Sequence, residues 1–348
     1  MLAAQRRTGA VPKTALPSER LPAWKEILEA VEPFLQSVAG RLAAQSKEFE
    51  PEIGSFTDYT LSAQGKQLRP ILISLGSQSV GTVGDPHITL AVIIEMVHLA
   101  TLVHDDVIDE AKLRRARETP ASKWGNEISV LLGDCLFAHA LSLAASYPTP
   151  EICRAVSAAT NTVCAGEILQ SKSRGNFEIT MDHYYKVLAM KTAELFSLSC
   201  DLGGFLSQAT PEQRQALRRY GLALGTAYQL YDDCLDLLGS ESSAGKTVGA
   251  DLAKGKVTLP ILIVRDRATP AERAQLQNWV VDWDARHLPE VMELLHNHNA
   301  LKQSRAIIQT YLEAANNAAD LLPSGNGRNS LKGLTHFLAQ QTEALGVI

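Results

Sequence analysis

From Trp24 almost to the C-terminus, apolar residues recur at steps of three and four, a pattern set by Ile27, Leu28, Val31, Phe34, Leu35 and Val38. This is the period of an amphipathic helix, and it persists in segments near 87–112, 123–146, 151–173, 182–207 and 211–238. Each segment runs to about 20 residues or more, against a usual helix mean of about 12. No alternating strand pattern is convincing, and the breaks are short, such as Tyr147-Pro148-Thr149-Pro150 and Ala209-Thr210-Pro211. The expectation is an all-α fold, a single large antiparallel helical bundle over residues 22–348 with an apolar interior. Residues 1–21 carry Arg6, Arg7, Pro12, Lys13 and Pro17 without apolar periodicity and read as a disordered extension.

Two of these apolar segments carry the same anomaly, Asp105-Asp106-Val107-Ile108-Asp109 and Asp232-Asp233-Cys234-Leu235-Asp236. On a helix the first and last carboxylates of each run share a face, with a rise of roughly 6 Å between them. Like charges at that spacing repel, more so when desolvated, so each cluster invites cations. Magnesium takes oxygen ligands and usually binds through one or two carboxylates while substrate phosphates fill other positions. Two opposed acidic faces are therefore half of a site, and a polyphosphate is the missing half.

Other features narrow the chemistry. With 33 Lys and Arg against 38 Asp and Glu, the net charge of -5 argues against a nucleic-acid footprint. Cys135, Cys153, Cys164, Cys200 and Cys234 form no C-x-x-C pair and read as buried thiols of a reducing, cytoplasmic compartment. The apolar stretch Ile88 to Val103 is interrupted by Glu95 and His98 and falls short of a membrane span, so no transmembrane segment is expected. Neither a Walker lysine, a G-x-G-x-x-G loop nor a Ser-His-Asp order is present. Residues 239–256 are long and polar for a bundle turn and read as a lid, the alternative being an uninvolved surface loop. Lys112, Arg114, Arg115 and Arg117 crowd the positions after the first run, while Arg117 and Lys254 read as solvated charges. A diphosphate held by metal and guanidinium groups is a good leaving group, and the carbocation left behind survives only where water is excluded, as in an apolar bundle core.

Two D-D-x-x-D runs in apolar helices are joined by Gly65-Lys66-Gln67-Leu68-Arg69-Pro70, by His98 through Arg115, by Gly166-Glu167-Ile168-Leu169-Gln170, by Lys191-Thr192, and by Tyr228-Gln229-Leu230-Tyr231 leading to Gly245-Lys246 and Lys256-Val257-Thr258-Leu259-Pro260. In this order the chain resembles the trans-isoprenyl (polyprenyl) diphosphate synthases over roughly residues 60–260. The resemblance implies an isoprenoid synthase-like bundle with a central apolar cavity, which joins an allylic diphosphate head-to-tail to isopentenyl diphosphate. It implies that Asp105, Asp109 and Asp232 contact Mg²⁺, about three ions per site with substrate bound, with Asp106, Asp233 and Asp236 completing the clusters. It assigns Arg114, Lys191, Thr192, Gln229, Lys246 and Lys256 to the allylic diphosphate, and Lys66, Arg69, His98 and Arg115 to isopentenyl diphosphate. It also implies a homodimer.

His98 lies seven residues before Asp105, two turns along one face, which agrees with its assignment. Histidine 104 has no such support and reads as structural. Glu167 and Gln170 could support Lys191 or merely form a polar seam between helices. The family usually has glycine at the positions of Gln64 and Ala116 and a basic residue at that of Gln67, so these departures fall on the isopentenyl cradle. A tail growing away from Asp105 meets Thr101, Ala100 and Val97 as successive floors. The resemblance says that large aromatics at the first two stop growth early; both are small here, so the expected product is long, roughly six to ten units at one turn per unit. Short-chain synthesis is the alternative if Met96 or Phe137 blocks the way deeper down. A terpene cyclase would leave Lys66 and Arg69 unexplained, and a non-catalytic subunit of a heteromeric synthase would not need both acidic runs.

Overall fold

Threonine followed by proline opens four of the helices. At Thr119-Pro120, Thr149-Pro150, Thr210-Pro211 and Thr269-Pro270, the hydroxyl accepts from a backbone N–H of the first turn at 3.1–3.3 Å. The proline has no N–H to leave unpaired and its fixed φ suits the first helical position. The computed structural model describes residues 21–62, 65–238 and 249–346. The long helices are α1 (Trp24–Ala44), α3 (Leu68–Val80), α4 (Asp85–Ile108), α6 (Asn126–Ala145), α7 (Pro150–Lys172), α9 (Glu194–Leu206), α10 (Pro211–Leu238), α15 (Ala300–Ala319) and α16 (Asn326–Glu343). Shorter pieces join them: α2 (Gly54–Leu61), α5 (Pro120–Trp124), α8 (Met181–Leu188), α11 (Ala250–Ala253), α12 (Leu259–Arg267), α13 (Pro270–Val281) and α14 (Leu288–Asn297). Among the described residues the only sheet is a hairpin, β1 (Leu113–Arg114) with β2 (Arg117–Glu118), which the sequence pattern did not predict.

The core lies in two clusters that meet along α3 and α9. One gathers α1, α3, α10, α12, α15 and α16 around Ile71, Leu75, Phe196, Leu217, Tyr220 and Ile308. The other gathers α4, α6 and α7 around Leu90, Ile94, Val97, Leu136, Ala140 and Val163. Helices α9 and α10 approach so closely that a Cβ at Gly221 would stand 2.5 Å from the Phe196 carbonyl oxygen and one at Gly225 2.8 Å from the Ala193 Cα. Any side chain at these two positions would force the helices apart, and with them the two acidic runs.

By length and composition both α4 and α6 could cross a membrane. Helix α4 is instead walled in by the bundle, with Leu90, Ile93, Ile94 and Met96 at 0 % exposure. Helix α6 keeps Val130 at 42 % and Leu131 at 55 % exposure.

Candidate active site

The first aspartate run closes its helix, α4 ending at Ile108, and the second lies in the last described turns of α10, up to Leu238. Negative charge at a helix C-terminus opposes the macrodipole, by typically 0.3–1 kcal/mol per charge, so these turns need cations from elsewhere. Two chains of contacts supply them and tie the runs together. In the first, Lys256 Nζ lies 3.6 Å from Asp109 and 3.8 Å from Asp251, whose backbone N–H donates to Asp236 at 3.0 Å. In the second, Lys191 Nζ lies 3.4 Å from Asp105, while its neighbour Thr192 donates to Gln229 at 2.8 Å and Gln229 donates to Asp233 at 2.8 Å. The two acidic runs thus face one another across a shared cleft, bridged by residues of the motifs that the sequence had set apart.

Asp109 is matched by three cations. Its carboxylate accepts from Arg174 and from Lys254 at 2.9 Å, besides the contact with Lys256. Burial pushes its pKa up, but Lys256, Lys254 and Arg174 together outweigh that and hold it well below the usual carboxylate range. Lys254 is therefore part of the site, contrary to the expectation of a solvated charge. Its sequence neighbourhood gives no hint, because the partner is 145 residues away. Arg117 is not solvated either: it lies 4.3 Å over the Tyr59 ring and donates to the Tyr59 carbonyl at 3.3 Å. Asp106, 2 % exposed, accepts from Arg114 at 2.8 Å.

Lys191 and Thr192 stand in a π-helical turn, Ala189–Ala193, between α8 and α9. Periodicity alone had predicted one uninterrupted helix over 182–207. The wider turn inserts an extra residue and turns both side chains toward the acids, a common use of π-bulges. Helix α7 closes on the turn at Gly166, where a Cβ would lie 2.8 Å from the Lys191 nitrogen. The ammonium of Lys191 also pairs with Glu167 and donates to Gln170 at 2.8 Å, so these two residues support the lysine and are not a passive seam. Behind them, Tyr184 donates to Asp233 at 2.5 Å, and burial pushes the Asp233 carboxyl up to about 7 despite that bond and the one from Gln229. Tyr184 and Arg174 are site residues that sequence reading missed, since neither stands in a recognisable motif.

The four cradle residues also converge. Lys66 lies 5.9 Å from the centre of the Tyr228 ring, and Arg69 5.3 Å from that of Phe196. A Cβ at Gly65 would overlap the Arg115 guanidinium. Burial lowers the pKa of His98 well below the ordinary value, and Arg69, Arg115 and Arg114 push it the same way, so the imidazole is neutral. The Nε of Arg69 is buried with no hydrogen-bond partner among the described residues, a donor left for a ligand. Glu95 on α4 is 8 % exposed and its pKa is raised by burial, with Arg69 and Arg115 opposing; it is the counter-charge beneath the cradle that the motif did not reveal.

Two of the three departures from the family pattern, at Gln67 and Ala116, fall on left-handed backbone. Arg115 and Ala116 form the two-residue turn between β1 and β2, both with positive φ (51° and 60°), and Gln67 has φ 47°. A turn of that type favours Asn-Gly, so alanine is strained where glycine would be free. Gln64 and Lys246 lie outside the described residues, as do residues 1–20 and the 239–248 part of the expected lid.

Val97 and Ala100 are 1 % and 0 % exposed in the α4–α6–α7 core, while Thr101 is partly exposed and donates to the His98 carbonyl at 2.7 Å. Two clefts flank the acids. One, about 90 Å³, is bounded by Arg174, Tyr184, Lys191, Thr192, Gln229 and Lys256 among others. The other, about 280 Å³, lies between α2, α4 and the hairpin. Neither is lined by Val97, Ala100 or Thr101, so the expected axial cavity is not among these two clefts. Cys200 and Cys234 are buried as expected, but Cys135 and Cys164 are exposed. The apolar sequence around those two forms outward faces of α6 and α7, which periodicity could not orient.

An all-α bundle with paired acidic turns and a cationic cleft between them defines a class of diphosphate-handling proteins. Comparison with known proteins makes the assignment specific. The family model described as Polyprenyl synthetase matches residues 50–297. Octaprenyl diphosphate synthase of Escherichia coli (strain K12) is 35 % identical over 310 residues, covering 88 % of this chain and 96 % of that protein. The crystal structure of a decaprenyl diphosphate synthase from Rhodobacter capsulatus superposes with a TM-score of 0.85 at 33 % identity, covering 91 % of this chain and 99 % of that one. A polyprenyl synthase from Caulobacter crescentus CB15, complexed with calcium and isoprenyl diphosphate, gives a TM-score of 0.84 at 30 % identity, covering 90 % and 96 %. The chain belongs to the polyprenyl synthetase family of trans-prenyltransferases, within which it is of the long-chain type.

Proposed function

We propose that the protein is a magnesium-dependent synthase that ionises an allylic diphosphate and adds successive isopentenyl diphosphates head-to-tail, yielding an all-trans polyprenyl diphosphate. The observation that carries this reading is the double bridge between the acidic runs, through Lys256–Asp251–Asp236 and through Lys191-Thr192–Gln229–Asp233. Among the described residues no three acidic, histidine or cysteine side chains form a closed protein cage for a metal. What the runs offer is hard oxygen donors one or two at a time, the mode in which magnesium binds together with phosphate. Asp105, Asp109 and Asp232 would hold the ions, with Asp106, Asp233 and Asp236 supporting them. Bound there, Mg²⁺ supplies neutralisation of the charge that develops on the leaving diphosphate.

The chain's own residues do the rest. Arg114, Lys191, Thr192, Gln229, Lys256 and Lys246 bind the allylic diphosphate and stabilise it as it departs. Lys66, Arg69, Arg115 and neutral His98 hold isopentenyl diphosphate without metal. The core below excludes water while the allylic cation is attacked, and the departing pyrophosphate accepts the proton lost after addition. Glu95 stays beneath the cradle, limiting how much positive charge is stored there in the absence of ligand. Residues 22–348 act as one catalytic unit in the cytoplasm, and the exposed apolar face of α6, with Val130 and Leu131, fits a second copy of the chain.

The test is purified protein with an allylic primer and labelled isopentenyl diphosphate, with and without Mg²⁺. Magnesium-dependent pyrophosphate release and chain elongation by this polypeptide alone are expected. Turnover that needs a second, different polypeptide would overturn the reading as a self-sufficient synthase. Sedimentation should give a dimer, and Leu131→Glu should give a monomer.

A further inference from the structure

Arg174 and Lys254 come from segments far apart in sequence yet meet on one carboxylate. Arg174 precedes Gly175, Lys254 precedes Gly255, and both glycines are left-handed, with φ of 70° and 69°. The Gly175 N–H donates to the Gly255 carbonyl at 2.8 Å, and a Cβ on Gly255 would stand 3.0 Å from the Gly175 nitrogen. The two turns are thus stapled side by side, presenting two cations as one unit.

A structural ion pair needs one cation per carboxylate. Asp109 has three, and among the described residues only Lys256 is shared with another acid, Asp251. The surplus is not sealed in: the side chains of Arg174 and Lys254 are 25 % and 33 % exposed. Arg174 also lines the 90 Å³ cleft that contains Lys191, Thr192, Gln229 and Lys256. Its Nε is buried without a hydrogen-bond partner among the described residues, and an unmet buried donor is destabilising. An anion in that cleft would satisfy it.

We propose that Arg174 and Lys254 are further contacts for the diphosphate of the allylic substrate, held against Asp109 when no metal is bound and turned to phosphate oxygens when that carboxylate is engaged by metal. The proposal rests on the reading of the site as an allylic diphosphate pocket. Two cations parked on an acid hold it oriented, and they are already placed when the diphosphate arrives, so little ordering is left to do at binding. Arginine suits the role because its planar fork can bridge two phosphate oxygens, whereas Lys254 acts as a point charge.

The experiment is calorimetric binding of inorganic pyrophosphate to the full chain in saturating Mg²⁺, for the wild type, Arg174→Met, Lys254→Met and Arg174→Lys, with thermal melts of each. Each methionine variant should weaken pyrophosphate binding in Mg²⁺ about ten-fold, the gain expected of one charge-assisted contact, and Arg174→Lys should recover part of it. In turnover assays KM for the allylic diphosphate should rise by a similar factor and kcat should fall, because the same contacts stabilise the departing diphosphate, while KM for isopentenyl diphosphate stays within about two-fold. Unchanged pyrophosphate affinity with a lowered melting temperature would make the pair a structural staple and overturn the proposal. If the variants lose pyrophosphate affinity while the wild type shows no prenyl transfer, the anion contacts stand and the reaction assigned above falls.

Discussion

Replacing Ala100 by Phe should shorten the product. Ala100 stands five residues before Asp105, about 7.5 Å along the α4 axis. An isoprene unit spans roughly one turn, about 5.4 Å, so a ring at this level leaves room for an allylic chain of about one to two units and a product of about two to three. With alanine in place the limit is the length of α4 itself, about 30 Å from Asp105 back to Asp85, which accommodates about five to six units, near the lower end of the expected range. The substitution enters a filled region, since Ala100 is 0 % exposed beside Val97, Leu136 and Ala140. Overpacking there should cost about 1–3 kcal/mol unless the ring turns into the path of the growing tail. Labelled isopentenyl diphosphate, dephosphorylation and chromatographic sizing would read the outcome, with a thermal melt to confirm folding. A folded, active variant whose products keep the wild-type length would refute the steric reasoning, because Ala100 would then only pack against its neighbours.

Three more outcomes follow from particular contacts. Tyr184→Phe removes the hydroxyl that donates to buried Asp233 at 2.5 Å and should lower stability by about 1–3 kcal/mol in urea titrations while raising the Mg²⁺ concentration needed for half-maximal activity; no change in either would show that the bond is idle. Ala116→Gly relieves a left-handed alanine at φ 60° and should raise stability by about 1 kcal/mol, read as a higher urea midpoint, whereas a loss would mean that the turn is not strained. His98 titrates below its ordinary 6.5 in the folded chain, so the unfolded chain binds the extra proton and stability falls as pH drops below about 6.5. Between pH 6.5 and 5.5 that loss is about 1 kcal/mol, and His98→Gln should remove it; equal pH slopes for the two proteins would contradict a neutral imidazole.

Much of this protein is legible along the chain because its chemistry is written in helical periods. The three- and four-residue steps specify α1 and the other long helices, since a face that must be buried leaves no other spacing. The charged motifs name most site residues in advance: Asp105, Asp109, Lys191, Thr192, Gln229, Asp232 and Lys256 each carry a local signature. Glu167 and Gln170 were visible but undecided, because a polar residue on a helix does not say which neighbour it faces. Position of contact decided them, at Lys191.

What the sequence by itself determined, then, is the set of helices and the acidic and basic groups they bear. Tertiary structure alone decided that a π-turn swings Lys191 and Thr192 toward the acidic runs and that Glu95 underlies the cradle. It also recruited Arg174, Tyr184 and Lys254, whose partners lie 65, 49 and 145 residues away. The physical reason is range: periodicity reports forces within a few turns, whereas a buried charge is matched by whatever cation the packing of distant helices brings within a few ångströms.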